Sequence, residues 1–223
     1  MNWRTMLVAA SLISAHAALA QSTKAADVTK FMGRAVVLTA PKPDPATLNL
    51  KDFASVCLEG PPERQCYSAP EAFWDSPQVS LVDLGEGTSA LLFSAQTRGI
   101  SGWQTQLALL RPGASKDLDD MFAMVDASLS NQSRHAFWTN AAISDAPIFV
   151  TAEYVLGADE AHYTDHRYII SAYVLTSSVL LQGKYYFLGD RYMTVRKYGM
   201  GDDILASEKP EIFAGLKRAK AGR

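Results

Sequence analysis

The sequence predicts a mainly β fold, a β-rich α+β chain whose strands form an antiparallel meander, a sandwich or a curled sheet, with one C-terminal helix. From Val79 onward, apolar side chains recur at every second position in short runs bounded by glycine, proline and asparagine. This is the pattern of half-buried strands. No long helical segments alternate with these runs, which argues against a parallel α/β sheet.

The predicted strands share β-branched and aromatic residues and are 34–39, 79–84, 90–95, 103–110, 134–138, 148–156, 167–175, 184–188 and 192–198. The runs 148–156 and 167–175 are joined by a polar tip, which predicts a hairpin. Segment 117–129 fits a helix as well as a strand, because its apolar residues are three and four apart.

The predicted C-terminal helix covers about residues 207–220. Ser207 is a suitable N-cap, and Pro210 suits the first turn because that turn needs no amide donor. Ile212, Phe213 and Leu216 form an apolar stripe, and basic residues follow where the helix dipole favours cations.

Residues 1–20 have the pattern of a cleavable signal peptide: Arg4, an apolar run from Met6 to Ala15, and a small-residue site ending at Ala20. The apolar run is shorter than the roughly 20 residues that span a bilayer. We therefore expect a soluble periplasmic or secreted product without a membrane span. Residues 21–45, rich in proline at their end, are expected to form an N-terminal arm or linker before a single domain at 46–223.

The small net charge of the chain does not favour binding to nucleic acid. It has 21 Lys and Arg against 23 Asp and Glu, and loss of Arg4 with the signal peptide makes the balance about −3. The expected partners are another envelope or secreted protein, or a glycan.

Both cysteines, Cys57 and Cys66, lie in the part that would be exported, with eight residues between them. An even number of cysteines in an oxidising compartment predicts a disulfide. Gly60, Pro61 and Pro62 suit the tight reversal that this bond would close.

The tip of the predicted hairpin gathers candidate metal ligands, namely Asp159, Glu160, His162, Asp165 and His166. Imidazole and carboxylate groups are ligands that divalent transition metals accept. The alternative is a solvated polar loop. No cofactor is expected except a divalent metal at this tip.

Aromatic residues are dense in the C-terminal half, and they either fill the sheet or form an exposed platform for a protein, peptide or glycan. The candidate binding residues are Tyr154, Tyr163, Trp103 and Trp138. The nearest approach to a hydrolase nucleophile motif, Gly99 to Gly102, lacks the required spacing. The sequence therefore favours a non-enzymatic binding module. The alternative is a metal-binding protein or metal-dependent hydrolase that uses residues 159–166.

Three segments, 56–70, 130–138 and 144–173, together resemble uncharacterised exported proteins of Gram-negative and related bacteria. The first contains both cysteines, and the third contains the predicted hairpin. The resemblance implies a periplasmic or secreted location and implies no activity or catalytic residue.

Overall fold

The computed structural model describes residues 28–42, 52–70, 75–85, 87–99, 102–123, 127–177 and 185–221. These residues form thirteen strands and one helix. The mainly β fold with a C-terminal helix is thus confirmed. The predicted signal peptide lies outside the described residues.

The strands form three antiparallel sheets that follow one another along the chain. The first sheet contains β1 (Lys30–Phe31), β2 (Arg34–Thr39), β3 (Ser55–Glu59) and β4 (Gln65–Ser68). The second contains β5 (Asp75–Gly85), β6 (Thr88–Gly99), β7 (Gly102–Pro112) and β8 (Leu118–Asp120), with β9 (Ser128–Ser130) also paired to β7. The third contains β10 (Arg134–Asn140), β11 (Ser144–Val155), β12 (Arg167–Ser177) and β13 (Tyr185–Met193).

The second sheet packs between the other two. Successive residues of its strands face opposite sides, so one set of side chains meets the first sheet and the other set meets the third. On β6, Leu91 and Phe93 pack with Val56 of the first sheet. Leu92, between them, belongs to the cluster that contains Phe149 of the third sheet. The second sheet therefore takes part in two sheet-to-sheet interfaces of the core.

The helix α1 (Ile204–Ala221) covers the other face of the third sheet. Ile148 and Val150 of β11 and Ile170 of β12 pack there with Ile212 and Leu216 of the helix. Complete burial of such a side chain stabilises the fold by about 1.5–3 kcal/mol. The apolar stripe predicted for the helix is its packing face.

The helix begins at Ile204, three residues before the predicted start. The capping residue is Asp203, whose Oδ1 accepts a hydrogen bond from the Ala206 amide at 3.0 Å. Ser207 lies inside the first turn, since its amide donates to the Asp203 carbonyl. Pro210 is inside the helix rather than in its first turn. The prediction was wrong because Ser207 followed by Pro210 matches the usual start of a helix, whereas Asp203 caps the helix earlier.

Other boundaries also differ from the expectations. Within the expected arm, the strand predicted at 34–39 is confirmed as β2, whereas β1 at Lys30–Phe31 was not predicted, and Phe31 is buried in the core. The ambiguous segment 117–129 contributes strands β8 and β9. The two strands predicted at 184–188 and 192–198 are replaced by the single strand β13, which continues through Gly189 and ends at Met193. The hairpin of β11 and β12 is confirmed, with Tyr154 opposite Tyr168.

None of the helical residues in the described ranges forms a stretch long and apolar enough to cross a membrane.

Candidate binding groove

Cys57 and Cys66 face each other on β3 and β4, with their sulfur atoms at the bonding distance of 2.10 Å. The buried Arg34 side chain holds the same hairpin, since Nη1 donates to Gln65 Oε1 at 2.7 Å and Nη2 donates to the Leu58 carbonyl at 2.8 Å. Gln65 Nε2 in turn donates to the Ser115 carbonyl at 2.6 Å. This end of the first sheet is therefore stabilised by a covalent bond and a buried polar network.

An open groove of about 280 Å³ lies between the edge of the second sheet and the end of β11. Its lining residues are mostly polar: Gln104, Ser128, Ser130, Ser133, Glu153, Tyr154 and Leu156. They supply one amide, one carboxylate, one aromatic ring and three serine hydroxyls, of which Ser130 Oγ and Ser133 Oγ are hydrogen-bonded to each other at 2.9 Å. The groove can therefore bind a polar group of modest size.

Strand pairing assembles one wall of the groove. Gln104 of β7 lies opposite Ser130 of β9, and Gln106 lies opposite Ser128. Leu129, between the two serines, is buried in the core that joins the second and third sheets. Because side chains alternate along a strand, burial of Leu129 places the flanking serines on the opposite face of β9.

Tyr154, near the end of β11, is also a lining residue, but its side chain packs with the cluster between the third sheet and the helix. Its hydroxyl lies 3.3 Å from His162 Nδ1, and its ring centroid lies 5.4 Å from that of His166. Gln132 Nε2 donates to the His162 carbonyl at 2.7 Å. The hairpin tip thus contacts Tyr154 and Gln132, and Gln132 directly precedes the lining residue Ser133.

The candidate metal ligands at the tip do not converge. His166 is buried, and its Nδ1 lies 3.3 Å from Glu160 Oε2, whereas His162 contacts Tyr154. Glu160 also pairs with Lys197. A search of the described ranges, which include the whole tip, finds no group of three or more His, Cys, Asp or Glu residues that could hold a metal ion. Metal binding stays a prediction that this geometry does not support.

The environment of Glu160 favours its charged form. The hydrogen bond from Lys197, the bond from the Gly157 amide at 2.9 Å and the contact with His166 together lower the pKa of Glu160 to about 2. The carboxylate therefore serves to close the tip, and it is ionised throughout the neutral range.

The four candidate binding aromatics have different environments. Tyr163 is 82% exposed, Trp103 is 50% exposed and Tyr154 is partly buried in the groove wall. Trp138 is buried, with its ring 5.6 Å from that of Phe213, so it is a core residue and not an exposed binding residue. The alternating pattern of side chains along β10 gave no sign that the C-terminal helix would cover Trp138.

The remaining tyrosines mostly fill the protein interior. Tyr168 and Tyr198 are buried, and their rings pack edge to face at 6.2 Å. Tyr173 packs against the core between the second and third sheets. The side chains of residues 185–187 lie outside the described part of the chain. The sheet-filling interpretation thus accounts for most aromatic residues that can be placed.

Gln104 and the groove serines were not predicted as binding residues from the sequence. Serine and glutamine are common on exposed strands, and only the pairing of β7 with β9 brings these residues together. The one available signal was serine at both 128 and 130, on either side of an apolar residue.

No protein-family model matches the sequence, and no curated protein or solved structure matches it either. The resemblance to exported bacterial proteins stays a prediction.

Proposed function

We propose that this protein is an exported, non-enzymatic binding module whose groove takes a short, hydroxyl-rich glycan segment. The observation that carries the proposal is the composition of the groove lining, which combines three serines with Gln104, Glu153 and Tyr154. Sugars present hydroxyls that both donate and accept, together with apolar ring faces that pack on aromatic side chains.

The size and polarity of the groove favour a glycan over a protein partner. Its volume is about 280 Å³, close to the lower end of about 300–1,000 Å³ for small-molecule pockets. A stable protein interface buries about 1,200–2,000 Å² in total and has an apolar centre. A single sugar unit, with its chain continuing along the open side, suits these dimensions.

The N-terminal pattern and the cysteine pair support export. A small-residue site ends at Ala20, and Cys57 and Cys66 lie at disulfide-bonding distance, which suits an oxidising compartment. Expression in a Gram-negative host followed by N-terminal sequencing of the periplasmic fraction tests this part. We expect the chain to begin at Gln21, and uncleaved protein retained in the cytoplasm would contradict it.

Calorimetric titration with cellotriose, chitotriose and maltotriose tests the binding function. We expect saturable binding of at least one trisaccharide, weakened about three- to tenfold by Gln104→Ala, which corresponds to one lost hydrogen bond. Gln78→Ala is the matched control, because Gln78 is also an exposed strand glutamine but lies on β5, outside the groove lining.

Two outcomes overturn the proposal. The first is the absence of binding by all three trisaccharides at millimolar concentration. The second is equal weakening by the groove variant and by its control. Chromatography of the same mixtures after prolonged incubation tests the non-enzymatic part, and release of shorter sugars would show that the protein is a hydrolase.

A further inference from the structure

We infer that the groove recognises two adjacent hydroxyl groups of a sugar ring, and that the paired hydroxyls of Ser130 and Ser133 bind them. This inference rests on the proposed glycan-binding function and narrows its ligand class to sugars with a free vicinal diol. Both serines are half-buried and line the groove, and their Oγ atoms are hydrogen-bonded to each other at 2.9 Å.

A short turn fixes the position of the two hydroxyls. Ser130 ends β9 and Ser133 directly precedes β10, and the Ser133 amide donates to the Ser130 carbonyl at 3.0 Å. Arg134 Nη1 donates to the Ser133 carbonyl at 2.9 Å. Gln132, inside the turn, donates to the His162 carbonyl at the hairpin tip. The serine pair is therefore in place before a ligand arrives, which lowers the entropy cost of binding.

Strand pairing brings a third polar group next to the serine pair. Ser130 lies directly opposite Gln104 of β7, and the Cβ atoms of residues opposed in this way are about 4.5–5.5 Å apart. Gln104 is exposed and also lines the groove. Burial of the neighbouring Leu129 in the core holds β9 in this register. One amide and two hydroxyls therefore come together on one part of the groove lining.

The hydrogen bond between the serines decides what they offer to a ligand. A hydroxyl has one proton to donate and two lone pairs that accept. The serine that donates to the other keeps its lone pairs for the ligand, and the serine that accepts keeps its proton. Whichever serine is the donor, the pair presents one acceptor and one donor 2.9 Å apart. The bond between them polarises both groups and strengthens their contacts with the ligand.

A vicinal diol on a sugar ring matches this arrangement. A gauche O–C–C–O torsion places the two oxygens about 3 Å apart, close to the length of an O–H···O hydrogen bond. One ligand hydroxyl donates to the acceptor serine, and the other accepts from the donor serine. A carboxylate or phosphate group would need two donors at this spacing, and the Glu153 carboxylate in the groove lining also disfavours an anion. An acetamido group has its N–H and C=O on opposite sides of a trans amide, so it cannot meet both serines.

The three trisaccharides differ in this feature. Every unit of cellotriose and maltotriose has free hydroxyls on carbons 2 and 3. In chitotriose, carbon 2 carries the acetamido group, and adjacent hydroxyls remain only at the non-reducing end. We therefore expect cellotriose or maltotriose to bind at least about threefold more tightly than chitotriose, since three units rather than one can present a diol. Calorimetric titration that finds chitotriose to be the tightest ligand would overturn the inference.

Removal of either hydroxyl tests the serine pair itself. We expect Ser130→Ala and Ser133→Ala each to weaken binding of the preferred trisaccharide about three- to tenfold. The double variant should weaken it by less than the product of the two single effects, because each single substitution already removes the bond between the serines. Ser133→Thr keeps the hydroxyl and should bind like the wild type.

Ser128→Ala is the matched control. Ser128 lines the same groove on the same strand, but it lies opposite Gln106 rather than Gln104. We expect this variant to weaken binding by less than about twofold, below the loss of one hydrogen bond to the ligand. Thermal unfolding of each variant shows whether a loss of binding comes from a loss of the fold.

The failures of the two proposals are distinguishable. If the wild-type protein binds none of the trisaccharides, the proposed function fails. If it binds one of them, three results would each remove only the role of the serine pair: single-variant effects that multiply independently, a Ser133→Thr variant as weak as Ser133→Ala, or a Ser128→Ala variant as weak as both.

Discussion

Gly85 is the residue whose replacement tests the packing of the second sheet on the third most sharply. It has a φ of +86°, and a Cβ built on it would lie 2.8 Å from the backbone oxygen of Asp145, in β11. An alanine at this position would therefore meet two costs, a left-handed backbone and a collision with a strand of the neighbouring sheet. Since the collision involves a backbone atom, rotation of a side chain cannot relieve it.

Gly87 separates these two costs. It has a φ of +72°, and a Cβ there would meet nothing within 4 Å. The left-handed conformation costs an alanine about 1–2 kcal/mol at either position, and overpacking adds about 1–3 kcal/mol at Gly85 alone. We expect Gly85→Ala to lower the free energy of unfolding by about 2–5 kcal/mol and Gly87→Ala by about 1–2 kcal/mol.

Urea unfolding followed by circular dichroism measures both variants against the wild type. Each kcal/mol also corresponds to about 2–4 °C in Tm for a chain of this length. Equal destabilisation by the two substitutions would refute the reasoning, because it would mean that the turn after β5 does not approach β11.

Three further predictions concern other parts of the fold. Arg34→Met removes the buried hydrogen bonds to the Gln65 side chain and the Leu58 carbonyl and should destabilise the protein by about 2–4 kcal/mol in urea unfolding; an unchanged midpoint would contradict the network. Replacing Cys57 and Cys66 with serine should cost about 2–3 kcal/mol, with no further loss on adding reductant. Because the pKa of Glu160 is lowered to about 2, the stability that it contributes is present above its ordinary pKa and is lost as the pH falls from about 4.5 toward 2. Glu160→Gln should remove that part of the pH dependence of the free energy of unfolding. Identical profiles of stability against pH for the variant and the wild type would contradict this prediction.

The strands and the hairpin were predictable because they depend on local patterns. The β11–β12 hairpin follows from two long apolar runs around a polar tip, and the register places Tyr154 opposite Tyr168. The start of the helix was predicted three residues too late, because Asp203 and Ser207 are both residue types that cap helices.

The stacking of three sheets was not predicted, although β6 carried a signal for it. Its consecutive apolar residues Leu91, Leu92 and Phe93 indicate a strand that is buried on both faces, and they pack alternately on the first and third sheets. The groove could not be predicted from the sequence, because Gln104 and Ser130 are distant in the chain and become neighbours only through strand pairing.

Mapping the amide chemical-shift changes caused by the bound trisaccharide tests the central claim most directly. The account predicts that the largest changes occur at Gln104, Ser130 and Tyr154, which line the groove. Largest changes elsewhere, for example around the exposed Tyr163 and Val195, would contradict it.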